Sequence, residues 1–350
     1  MKLVSGMKST LLVALTVGLL CVTPASARVI DGGTADTPLA EVGGDCGGSL
    51  YAATTMETYA NLTGSFTNLR GWNAVRFGNG YAAHLNLNCD IGTSASRAWN
   101  TYFGYSGTNV TGTSISLNSG TLCTEWFYTD GTGKVSVAIT GGTIDSLYGL
   151  QLGKSAANTF EFTQTGGTVT WANNAMVIGQ AGTGTYTISG GSITSAKGLE
   201  IKNGSTLHMV GTGGAVSLTG NGQMSVNNGT LMYTVGSAGV STIAAQTRSA
   251  NFVGAVVNME LASGVTPSYG TLFDLIDSTG SASDGYWVFD PNNLGLTLAA
   301  EDVGTWELVL KEGDAGVLQA KYLVPDVPEP ATMALLGLGM AGLAIRRRRA

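Results

Sequence analysis

The sequence predicts an all-β fold: a right-handed parallel β-helix with three short strands per rung of about 25 residues, closed by a C-terminal β cap. Three observations predict it. Glycine makes up 52 of 350 residues and charged residues only 11%, yet 43% of the chain is hydrophobic. That apolar share can build a continuous core, whereas a disordered chain has low hydrophobicity and high charge. A short apolar block also recurs at a nearly constant interval, and two further blocks follow it in fixed order.

The first block reads Val75-Arg76-Phe77, Thr101-Tyr102-Phe103, Trp126-Phe127-Tyr128, Leu150-Gln151-Leu152, Met176-Val177-Ile178, Leu199-Glu200-Ile201 and Met224-Ser225-Val226. Its spacings are 26, 25, 24, 26, 23 and 25. The second block includes Leu85-Asn86-Leu87, Ile115-Ser116-Leu117, Val137-Ala138-Ile139, Phe160-Glu161-Phe162 and Leu207-His208-Met209. The third follows a glycine turn, as in Gly141-Gly142-Thr143-Ile144 and Gly166-Gly167-Thr168-Val169. Period-two alternation between turn residues marks each block as a strand. Three strands this short cannot bury an apolar face within one unit. If each unit coils once, like stacks on like about 4.8 Å away, and first and third residues point into a shared core. Glycine fits the corners, where φ is positive. Asn79, Asn203 and Asn227 suit similar corners. A β-sandwich also has many short strands, but it does not account for three blocks recurring in order.

The segments follow from this repeat. Residues 28–74 fit it poorly, although Leu50 falls 25 before Val75, and read as an N-terminal cap with one degenerate rung. Residues 75–260 are the β-helix repeats. Residues 261–326 carry more aromatic runs at 270–276, 286–289 and 306–310 and read as a C-terminal β cap over an otherwise open sheet edge. The Gly-Gly-Thr-Ile pattern resembles autotransporter-type passenger repeats.

Residues 1–27 have the parts of a signal peptide: Lys2 and Lys8, an apolar run over 11–22, then Ala25-Ser26-Ala27. Signal peptidase is expected to cut after Ala27, with Ala25 and Ala27 in its site. Residues 327–350 hold Val327, Pro328, Glu329 and Pro330, then 15 uncharged residues at 331–345, then Arg346, Arg347, Arg348 and Arg349. Fifteen helical residues span about 22 Å, short of the ~30 Å hydrocarbon core but adequate for a transient hold in the inner membrane. The arginines would stay cytoplasmic. This order closely resembles the PEP-CTERM sorting signal. In that family the signal is read by an exosortase, a membrane cysteine protease of Gram-negative bacteria that make exopolysaccharide. The resemblance implies exosortase as a partner, C-terminal processing after transient insertion of 331–345, and a final location that is extracellular or at the cell surface.

Of the 17 basic and 23 acidic residues, 11 and 22 lie within 28–327, leaving that stretch at −11. Such a surface excludes non-specific nucleic-acid binding, which needs a positive field. Cys46, Cys89 and Cys123 are odd in number, so at most one internal disulfide forms among them. His84 and His208 stand far apart, no Cys/His cluster suggests a metal, and no cofactor is expected.

Catalysis on a β-helix needs an outward ladder of reactive groups. The middle residues of the first block are Arg76, Tyr102, Phe127, Gln151, Val177, Glu200 and Ser225. Those of the second include Asn86, Ser116, Ala138, Glu161 and His208. A glycan hydrolase needs two carboxyl groups about 5–9.5 Å apart. Glu161 and Glu200 fall on different blocks, and His208 has no acidic or arginine neighbour in the pattern. Asp274, Asp277, Asp284 and Asp290 cluster as Ca²⁺ would require, but without a calcium-binding repeat, and read as turn residues. The N-x-[ST] triplets at Asn61, Asn109, Asn203 and Asn228 arise from composition. The expectation is therefore a non-catalytic structural or adhesive protein of the cell surface, exopolysaccharide matrix or biofilm. The alternatives are a carbohydrate-binding protein using exposed Tyr102, Phe127 and Trp171, and a degenerate β-helix polysaccharide lyase or hydrolase.

Overall fold

In a computed structural model that describes residues 27–69, 74–105, 110–279, 287–290 and 293–324, short strands of like position pair in parallel, turn after turn. The chain is an all-β parallel β-solenoid of about nine turns, about 25 residues each, with antiparallel strands near its C-terminus. It divides into two units after Thr185.

In the first unit three ladders build the wall. The first aligns Leu50, Val75, Thr101, Phe127 and Leu150. The second aligns Ala60, Leu85, Ile115, Val137 and Phe162. The third aligns Phe66, Ile91, Leu122, Ile144 and Val169. All fifteen are buried, and all but Thr101 are apolar. The alternation of apolar and polar residues thus becomes an inner and an outer face, and stacking from turn to turn supplies the burial that one turn lacks. Several blocks run together as one bent strand, such as Ala83–Ile91, Thr121–Thr129 and Asn158–Trp171. The bend at Gly167 has φ +67°, and a β-carbon there would collide with the carbonyl of Gly142 on the neighbouring turn. Asn68, Asn203 and Asn228 take positive-φ corners. Of the three asparagines assigned to such corners from the sequence, Asn203 takes one; Asn79 does not, its neighbours Gly78 and Gly80 having the positive φ there, and at the remaining corner it is Asn228, not Asn227.

The stretch 28–74 is more regular than its sequence suggests. Arg28–Ile30 pairs with Leu50–Ala52 as that strand pairs with Val75–Phe77, so it adds two members to the first ladder.

One register differs from the even spacing. Thr101 aligns with Phe127, not Trp126, and Phe127 is 0% exposed. A shift in pairing between Ser146 and Gly149 absorbs the difference. Because side chains alternate, this one-residue slip turns Phe127 inward and gives Tyr128 the outward place. Phe160 is displaced by two, aligning with Val135, which keeps its facing. Val177, in an outward position, is nevertheless only 7% exposed.

In the second unit Leu199 aligns with Met224 and Ala250, Leu207 with Leu231 and Val257, and Ile193 with Val216 and Ile243. Parallel pairing continues past 260: Ile276 joins Ile243, and Leu298 joins Val257. Leu272–Asp277 and Trp306–Lys311 then flank Asp314–Tyr322 in antiparallel fashion. The run expected at 286–289 is not a strand in its described part, 287–289. Trp287 and Phe289 instead pack against Phe252, and the Trp287 indole N–H donates to the Ala245 carbonyl at 3.2 Å.

Candidate functional site

The outward positions of the first ladder in the first unit are Tyr51, Arg76, Tyr102, Tyr128 and Gln151. Tyr102 and Tyr128 stack with centroids 4.8 Å apart and planes at 21°, as aligned aromatic residues on adjacent turns can. Tyr105 meets Tyr102 edge-on at 5.1 Å. Trp126 stacks on Tyr128 at 6.0 Å and on Tyr148 at 5.5 Å. Two cations lie against these rings. The Arg76 guanidinium is 3.9 Å from the Tyr105 centroid and 5.0 Å from that of Tyr51. Lys154 Nζ is 4.0 Å from the Tyr128 centroid, 4.9 Å from that of Tyr102, and 3.4 Å from the Tyr102 hydroxyl.

Burial pushes the Tyr102 phenol up to about 12 and raises that of Tyr128, so both rings stay neutral at ordinary pH. Burial also lowers the pKa of Lys154, opposed by the field of Asp130. Asp130 is itself buried and accepts a hydrogen bond from the Ser155 hydroxyl. The outcome is a cation–aromatic face with Trp126, Tyr148, Arg76 and Lys154 half-buried.

A second group lies on the outward side of the second ladder, where Tyr59, His84 and Ser114 align. His84 Nε2 is 2.8 Å from Glu57 Oε1, and its Nδ1 is 2.8 Å from Ser114 Oγ. Tyr59 stacks on the imidazole at 4.2 Å and donates its hydroxyl to Glu57 at 3.0 Å. The order Glu–His–Ser is that of a nucleophile relay. Ser114, however, lies near the start of a strand paired on both sides, whose amides point along the ladder and not toward a reacting carbonyl. The arrangement ties three turns together by hydrogen bonds. It was not found in the sequence because Glu57 precedes its strand and the partners are 27 and 30 residues apart.

On the third ladder, Asp90, Cys123 and Asp145 line a shallow groove of about 380 Å³. Arg97 holds Asp145 at 2.7 Å, and Asp90 accepts from the Thr121 amide at 2.8 Å.

The residues singled out in sequence do not assemble. Glu161 is ion-paired with Lys134, and Glu200 with Lys202. His208 Nε2 bonds the Thr234 hydroxyl at 2.7 Å, and burial lowers its pKa against the opposing field of Glu260. Asp274 meets Lys311 and Gln319, Asp277 bonds the amide of Thr279, and Asp290 pairs by a backbone bridge with Asn293. Asp284 and Asn109 lie outside the described residues. Asn61 accepts from Asn86 at 2.8 Å, a link between adjacent turns. Tyr102, Phe127 and Trp171, expected to be exposed, are 6%, 0% and 3% exposed. Phe127 belongs to the core, and Tyr102 is covered by its aromatic and cationic neighbours. Cys46, Cys89 and Cys123 are free and buried.

Ala27 immediately precedes the first strand, and Ala25 lies outside the described residues. So do Val327, Pro328, Glu329, Pro330, segment 331–345 and the four terminal arginines. Among the described residues no helix is long and apolar enough to cross a membrane. Residues 326–349 match the PEP-CTERM protein-sorting motif. No curated protein and no solved structure matches the chain. The chain is thus a β-solenoid carrying a C-terminal sorting motif, which implies exosortase processing and sorting to the cell surface.

Proposed function

We propose that this exosortase-sorted β-solenoid serves as a non-catalytic structural or adhesive protein, displayed on the cell surface or released into an exopolysaccharide matrix. The observation that carries the reading is the union of a repetitive, fully cored solenoid with the sorting motif at 326–349. A stacked wall tolerates exposed polar ladders at little cost and presents repeated outer faces for contact. The outward carboxylates Glu161, Glu200 and Asp145 are each neutralised by a basic partner, which suits a wall better than an acid–base pair. Signal peptidase acts after Ala27 and exosortase at the Pro-Glu-Pro segment.

The test is Glu329→Ala in the native host, followed by a tag placed in an exposed loop. Wild-type protein should reach the surface or medium in a processed form, and the variant should remain as membrane-held precursor. Unchanged processing and release of the variant would refute the sorting step. A glycan-binding role is the second reading, favoured by the cation–aromatic face of the first ladder.

A further inference from the structure

The geometry points to the first-ladder face around Arg76, Tyr102, Tyr128 and Lys154 as a binding surface for a carboxylated glycan, one whose sugar units bear uronate groups. The inference deepens the glycan-binding reading above and rests on it.

Charge pairing carries the argument. Residues 28–327 have twice as many acidic as basic residues. Carboxylate partners are therefore plentiful, and the other described basic side chains of the first unit use them. Arg28 pairs with Glu41, Arg97 with Asp145 and Lys134 with Glu161. Among the described residues, Arg76 and Lys154 form no such ion pair, the buried Asp130 acting on Lys154 only through its field, and both lie on one aromatic face. Arg76 Nε is sealed from solvent without a hydrogen-bond partner. Tyr51 and Tyr105 cover the guanidinium, so its remaining donors lie in its plane. That is the direction from which a carboxylate is received in a forked contact. Lys154 is partly desolvated, which strengthens a short contact to an anion.

The neutral partners fit the same ligand. Trp126 and Tyr148 extend the face with half-buried rings, and the apolar side of a pyranose packs on such rings. Ladder positions repeat every ~4.8 Å, close to the length of one sugar in an extended chain. A linear acidic glycan can thus lie along the ladder and meet a ring or a cation at successive turns. The protein's overall negative charge repels a polyanion at long range. At physiological salt that repulsion is screened within about 8 Å, while contact pairs persist.

The experiment is affinity electrophoresis of the full chain, purified in detergent, through gels containing polygalacturonate or, separately, dextran at physiological ionic strength. Wild type should be retarded by polygalacturonate and not by dextran. Lys154→Gln should weaken retardation about tenfold, as loss of one charge-assisted contact does, and Arg76→Gln with Lys154→Gln should abolish it. Lys134→Gln removes the same charge from the second ladder and should change nothing. Circular dichroism checks that each variant retains its β spectrum, and Lys154→Gln alone decides the matter if the double variant unfolds. The proposal is overturned if wild type is not retarded, if dextran retards it equally, if Lys154→Gln binds as wild type does, or if Lys134→Gln loses as much. Processing at the C-terminus, followed on cells with the Glu329→Ala variant, reports on sorting alone. A surface protein that is sorted but unretarded would therefore sink the glycan face and leave the structural reading standing.

Discussion

Leu87 offers the sharpest trial of the core. It is 0% exposed and aligned between Leu62 on one turn and Leu117 on the next, which are 0% and 2% exposed. Its chain neighbour Asn88 is exposed. Leu87→Asp removes packing, for which large-to-small core changes cost about 2–5 kcal/mol. It also places a carboxyl among leucines without a partner. Burial raises the folded pKa of such a group by up to about 3–5 units, at 1.36 kcal/mol per unit. At pH 7 only the roughly three units above the unfolded value of about 3.9 count, adding about 4 kcal/mol. The sum, about 6–9 kcal/mol, is comparable to the roughly 5–15 kcal/mol that holds a typical domain together. The variant should fail to fold at pH 7 or melt far earlier than wild type. Asn88→Asp, the same group on the outer face, should stay within about 0.5 kcal/mol. The pH dependence supplies a second reading. With its folded pKa raised, the new carboxyl costs nothing electrostatically below about pH 3.9, and the cost grows as pH rises toward the folded value. Melting followed by far-UV circular dichroism at pH 3.5 and 7, each against wild type, should show the Leu87→Asp deficit shrink at the lower pH. Similar melting of the two variants, or a Leu87→Asp deficit independent of pH, would refute the inward assignment.

Two further expectations concern titrating groups. Burial pushes the thiols of Cys46 and Cys89 up to about 11 and about 12 and raises that of Cys123, so none is a thiolate at pH 8. Peptide mapping after iodoacetamide treatment should find all three unlabelled in native protein and labelled after guanidinium unfolding; native labelling of any one would contradict its burial. The hydrogen bond from His84, then that from Tyr59, holds the Glu57 carboxyl below its usual value. A depressed folded pKa contributes stability that is present above the unfolded value near 4.3 and lost as pH falls through the folded one. Tyr59→Phe keeps the ring against His84 and removes the hydroxyl, so carbon-13 NMR of labelled glutamate should show the Glu57 midpoint rise; an unchanged midpoint would mean the hydroxyl bond does not form.

Much of the fold was legible because one physical pattern repeats. Alternation shows each strand, and the fixed order of blocks shows that like strands stack. What escaped notice were the places where loop length and ladder position part company. Ile243 and Ile276 pair though 33 residues apart, and Val257 and Leu298 pair though 41 apart. Long insertions between turns cost little in closure entropy, so the coil continues while the sequence spacing fails. The aromatic run near 287 misled for a related reason. Trp287 and Phe289 alternate as a strand does, yet they serve as a cover over Phe252.

The candidate face was harder to see, and the reason is register. Tyr51, Arg76, Tyr102 and Tyr128 belong to one outward row only if Thr101 aligns with Phe127. Evenly spaced blocks align Thr101 with Trp126 instead, which puts Phe127 on the outside and Tyr128 in the core. Both residues are aromatic, so neither composition nor alternation distinguishes the two registers locally. The pairing shift between Ser146 and Gly149 decides between them, and it lies one turn further along the chain. The remaining contributors, Tyr105, Tyr148 and Lys154, fall outside the middle positions of the blocks and reach the row from its edges. A repeat thus announces its core at every turn, because each turn must satisfy the same burial. Its binding chemistry is written once, across several turns, and becomes visible only when every register between them is known.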